Sequence, residues 1–123
     1  MTNTIEIKIN KTVFKFIETV YEADKGTYYI DVVQLNYQSI KIKIKIRGIE
    51  HNPAHVHIEF NNSVFLFQLK KKVFSEIDYK KTDFAKLKRK KNIYNSILEY
   101  LNNRKKELTE SFYIKNPDLK NKK

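Results

Sequence analysis

Ile40, Ile42, Ile44 and Ile46 alternate with Lys41, Lys43, Lys45 and Arg47. Side chains that alternate in this way sit on opposite faces of a strand, and no helix produces the pattern. The stretch from Ser39 to Arg47 therefore predicts a strand with one apolar and one cationic face. The same alternation marks Thr4 to Ile9, with Ile5, Ile7 and Ile9 inward, and Ala54 to Phe60, with Ala54, Val56, Ile58 and Phe60 on one face and His55, His57 and Glu59 on the other. Thr27 to Leu35 is rich in β-formers between the turn Asp24-Lys25-Gly26 and Asn36. Val64 to Leu69 reads as a strand covered on both faces, and Val73 to Tyr79 as a further one.

Elsewhere the spacing is helical. Val13, Phe14, Phe16, Ile17, Val20 and Tyr21 fit one face of a helix over residues 11–22. Beyond Thr82 and Asp83, either of which suits an N-cap, Ile93, Tyr94, Ile97, Leu98, Leu101, Leu108 and Phe112 form a single stripe that ends before Asn116-Pro117. The expected fold is α+β: an antiparallel sheet of four to five strands packed against a long C-terminal helix, with an additional N-terminal helix. Residues 1–38 are expected as an N-terminal extension of strand, helix and strand on the same domain. Residues 39–113 carry the histidine strand and the C-terminal helix, and residues 114–123 form a basic tail. Phe14, Phe16, Phe60, Phe65 and Phe67 are assigned to the core.

Charge narrows the classes of function. The 123 residues hold 25 Lys and Arg against 14 Asp and Glu, a formal net charge of +11. A surface this basic attracts polyanions, of which nucleic acid is the commonest. Without cysteine there is no disulfide or thiolate chemistry, and two glycines leave no glycine-rich phosphate loop. No apolar run is long enough to span a membrane, and the N-terminus MTNTIEIKIN lacks the pattern of a secretion signal. The expectation is a cytoplasmic protein with no membrane partner and no cofactor.

All three histidines fall between His51 and His57, in the segment His51-Asn52-Pro53-Ala54-His55-Val56-His57. Pro53 suits a strand entrance, so His51 and Asn52 lie in the preceding turn. If the lysine and histidine strands pair as antiparallel neighbours, Arg47 stands opposite His55, Lys45 opposite His57 and Lys43 opposite Glu59. Lys41, Lys43, Lys45, Arg47, His51, His55 and His57 then share an open face suited to phosphate. Lys86, Lys88, Arg89, Lys90 and Lys91 add a second basic cluster, and Tyr28, Tyr29 and Tyr37 would stack on unpaired bases if they shared the same face.

Three other chemistries fit the same residues. His55 and His57 with Lys45 suit acid and base cleavage of RNA. His55, His57 and Glu59 form an array of metal-ligand type. The histidines also suit a purely structural role, and the lysine row suits an edge strand charged against unwanted pairing. Binding is the favoured expectation over catalysis, and RNA over DNA.

The segment HNPAHVHIEF resembles the signature of a small bacterial family catalogued as domain of unknown function 4160, whose members typically read His-Asn-Pro-Pro-His-Phe-His-Val. The resemblance runs over roughly residues 48–112, with Ala54 where the family has a second proline and Phe112 where it often has tryptophan. It implies no established activity. By analogy with family members found beside a partner gene in arrangements resembling toxin and antitoxin pairs, it implies a nucleic-acid or small-protein partner. A separate expectation, which a short basic chain permits, is a protein-directed role with a protein or ribonucleoprotein partner: half of a toxin and antitoxin pair, or a mobile-element inhibitor of a nucleoprotein defence complex such as an anti-CRISPR.

Overall fold

The computed structural model describes residues 1–75 and 81–120, and for Lys81 and Thr82 the backbone alone. Seven strands form one antiparallel sheet in simple sequence order: β1 (Thr2–Ile9), β2 (Thr12–Asp24), β3 (Thr27–Tyr37), β4 (Ile40–Lys45), β5 (His55–Phe60), β6 (Ser63–Gln68) and β7 (Val73–Ser75). Three helices follow, α1 (Lys81–Arg89), α2 (Lys91–Asn103) and α3 (Lys105–Lys115), and then a short 3-10 turn at Pro117–Leu119. Of the strand expected over residues 73–79, residues 76–79 lie outside the described ones.

This architecture overturns the expected sheet of four to five strands on one long helix. The first correction is in β2, which replaces the N-terminal helix. Phe14, Phe16, Glu18 and Val20 are buried at alternate positions, a strand period interrupted in the sequence by a carboxylate where an apolar residue belongs. Val13, Ile17 and Tyr21 on the other face complete an apparently helical spacing.

The second correction is in the C-terminal segment. The stripe Ile93, Ile97, Leu101, Leu108 and Phe112 does face the core, but two breaks divide the chain that carries it. Lys90 lies outside helical geometry at φ −83°, ψ 70°, and Arg104 at φ −106°, ψ 13°. Hydrogen bonds from Arg104 N to Tyr100 O and from Leu108 N to Arg104 O carry the helical pattern through the second break, so α2 and α3 meet at a bend rather than a loop. The segment expected as a basic tail begins inside α3, which runs to Lys115.

The core lies between the helices and one face of the sheet. Across that face Val33, Ile44, Ile58 and Phe65 stand side by side in register on four neighbouring strands, and each is buried. Phe14, Phe16, Phe60, Phe65 and Phe67 are all core residues. Burying one such side chain is worth about 1.5–3 kcal/mol. From the helix side, Tyr100 stacks on Phe16 with ring centroids 4.5 Å apart. The N-terminal strands belong to the same sheet, since β3 pairs with β4 from Val32↔Lys45 to Tyr37↔Ile40. β4 has partners on both sides, so its lysine row does not guard a sheet edge. None of the helices is long and apolar enough to cross a membrane among the described residues.

Candidate functional site

Two of the three expected cross-strand pairs are present: Lys43 stands opposite Glu59 and Lys45 opposite His57. Arg47 does not reach His55 as a strand partner, because β4 ends at Lys45. Lys43 and Lys45 therefore share a face with His57 and Glu59. The expectation of histidines displayed on that open face is overturned, since His55 is 4% and His57 8% exposed.

Glu50 covers them. The connection from β4 to β5 turns back so that its carboxylate reaches both rings: Oε2 lies 3.2 Å from His55 Nε2, and Oε1 lies 2.9 Å from His57 Nε2. His55 is fixed further by Nδ1, 2.8 Å from the carbonyl oxygen of Pro53, and its ring packs against Phe112 of α3 at 5.2 Å. His51 stays outside, its side chain 76% exposed and Nδ1 4.0 Å from Glu50 Oε2. Burial lowers the His57 pKa, with His55 and Arg47 adding to the effect and the Glu50 carboxylate opposing it.

The connection is held in shape from both sides. Ile49 takes φ +57°, a left-handed conformation that β-branched residues rarely adopt, and leaves its side chain in solvent. Asn116, just beyond α3, accepts from Glu50 N at 2.9 Å and donates to Arg47 O at 2.9 Å. Lys115 donates to Ile46 O at 2.6 Å and pairs with Asp31. The peptide bond before Pro53 is cis. Tyr113 donates to Asn52 Oδ1 at 2.8 Å, and Asn52 Nδ2 donates to Leu119 O.

Glu59, expected beside the histidines as a ligand, is engaged elsewhere. It pairs with Lys45 Nζ at 2.8 Å, so the metal-ligand array read along one strand does not form. Glu50 takes its place. The available signal was chemical: Glu50 is the only acid between β4 and β5, but it stands one residue before the histidine segment and outside any periodic element.

The basic residues sort into two clefts. Lys41, at the start of β4, meets Lys86, Arg89 and Lys90 of the α1 region around a cleft of about 530 Å³ completed by Ser39, Ile40, Phe60 and Asn61. Among the described residues no acidic side chain lines it. Lys43, Lys45 and Arg47 line a second cleft of about 500 Å³ with Lys115 and Asp31, where Lys45 and Lys115 are already paired with carboxylates. Lys88 faces neither cleft and lies over the Phe84 ring at 4.9 Å, while Lys91 is exposed at the start of α2. The tyrosines do not form one platform: Tyr37 packs on Phe14 at 4.8 Å, whereas Tyr29 lies 6.0 Å from Tyr21.

The chain matches no family model, no curated protein and no solved structure.

Proposed function

We propose that this protein binds RNA, with the phosphate backbone seated in the cleft between β4 and α1. The observation that carries this reading is the convergence of Lys41, from β4, with Lys86, Arg89 and Lys90, from the α1 region, on one cleft whose lining holds no carboxylate among the described residues. Four cations around a cavity of that size neutralise neighbouring phosphates, and the release of counterions drives association. Lys43 and Arg47 in the second cleft extend the cationic surface across the sheet.

The cleavage reading draws less support. A general acid and base must reach the phosphodiester, and His55 and His57 are buried with both Nε2 atoms turned to Glu50.

The test is RNA affinity as a function of salt. Replacing Lys86, Arg89 and Lys90 together with Gln is expected to weaken binding and to flatten the slope of log affinity against log salt by roughly 0.7 per lost contact on a single strand. A slope unchanged from the parent protein would remove the cleft from the binding surface.

A further inference from the structure

The geometry points to a second site: Glu50, His55 and His57 bind a divalent transition-metal ion of the zinc and nickel class. The contacts of His55 fix its tautomer. The carbonyl of Pro53 can only accept, so His55 Nδ1 carries the proton of their 2.8 Å contact. In the neutral ring Nε2 is then a bare lone pair, and it points at Glu50 Oε2 from 3.2 Å. Two lone pairs do not face one another at that distance without a positive charge between them. A proton or a metal ion must stand there.

Several features suit the metal. One donor atom from each of the three residues lies within 4.8 Å of the others. Tetrahedral zinc with bonds of 2.0–2.1 Å spaces its ligands roughly 3.3 Å apart; His55 Nε2 lies 3.2 Å from Glu50 Oε2 and His57 Nε2 2.9 Å from Glu50 Oε1, so each ring is at ligand spacing from its own carboxylate oxygen, and the wider set has to draw together around the ion. Two imidazoles and a carboxylate favour zinc or nickel over calcium or magnesium, which prefer oxygen alone. The hydrogen bond from His55 Nδ1 to a backbone carbonyl is the outer support that metal-bound histidines ordinarily have.

The surrounding charge does not forbid a dication. Lys45, opposite His57 in register, is neutralised by Glu59 at 2.8 Å. Arg47 does repel positive charge at His57, and the Glu50 carboxylate offsets it. Three protein donors leave a fourth position on a tetrahedral ion. His51, its side chain 76% exposed and Nδ1 4.0 Å from Glu50 Oε2, stands outside the donor set.

The experiment is titration of the full chain, without a histidine tag, with zinc chloride and cobalt chloride, read by calorimetry and by 15N NMR of the imidazoles. The expected result is binding of one ion per chain, with the Nε2 resonances of His55 and His57 moved together and those of His51 unmoved. Glu50→Gln should weaken affinity at least about 100-fold, and His51→Ala should leave it within a few-fold. If Glu50→Gln does not fold, the NMR titration of the parent chain decides alone. No movement of the His55 and His57 resonances at saturating metal overturns the site, as does full affinity in folded Glu50→Gln. In either case the charge between the lone pairs is a proton. An affinity lost equally in His51→Ala would overturn the three-donor assignment.

Discussion

Arg104 grips Glu18 at two points, with Nε 2.9 Å from Oε2 and Nη2 3.0 Å from Oε1. Tyr100 donates to the same Oε2 at 2.6 Å, so a fully buried carboxylate in the middle of β2 is satisfied from the bend between α2 and α3. That contact pins the helices to the N-terminal half of the sheet. Burial and the bond to Glu18 push the Tyr100 phenol far above its ordinary range, while hydrogen bonding to Glu18 raises the Arg104 guanidinium.

Removing one partner leaves the other charge buried without compensation. Arg104→Ala is expected to cost about 3–5 kcal/mol in urea denaturation. Exchanging the whole cluster for apolar groups, Glu18→Leu with Tyr100→Phe and Arg104→Met, should recover most of that loss, because no desolvated charge remains. A triple variant as unstable as the single one would show that packing at these positions, and not the ion pair, governs the loss.

The metal-free protein should lose stability as pH falls below the imidazole range. The His57 pKa is lowered in the folded state, whereas the unfolded ring titrates near the ordinary 6.5. Below that pH the unfolded chain binds a proton that the folded chain resists, so the contribution is complete above about 6.5 and declines as pH falls toward the depressed folded value. Stability measured between pH 5 and 7.5 should fall more steeply for the parent than for His57→Gln. Parallel curves would assign the acid sensitivity to other groups.

Asn116 should matter to the site without touching the histidines. It holds Glu50 N and Arg47 O and is itself buried. Asn116→Ala is expected to cost about 1–3 kcal/mol, and by freeing the Glu50 connection it should also shift the His57 ring resonances. A loss of stability with unchanged His57 resonances would make Asn116 a support for α3 alone.

The strands were legible where a single period governed them. The strands expected over Ser39 to Arg47 and Ala54 to Phe60 are β4 and β5, shorter at Ile40–Lys45 and His55–Phe60, in the predicted register at Lys43↔Glu59 and Lys45↔His57. β2 was hidden by one residue. Glu18 occupies a core position, so local reading could not join Phe16 to Val20 as one buried face. The partner that permits it, Arg104, lies 86 positions away. The divided C-terminal helix was hidden for a related reason: the apolar stripe stays in phase across Arg104, and nothing in local spacing marks the bend.

Local pattern and composition were enough for the alternation of the strands, the cationic row of β4, the phenylalanine core and the concentration of all three histidines in one segment. These follow from periods of two and from composition, which are local properties of a chain. Tertiary structure decided which acid meets the histidines and which lysines meet each other. Glu50 displaced Glu59 because the β4–β5 connection folds back under bonds from Asn116, while Lys45 drew Glu59 into an ion pair. Lys41 joined Lys86, Arg89 and Lys90 because the sheet's one apolar face had to be covered, and its burial beneath the helices brought the basic side of α1 beside the start of β4.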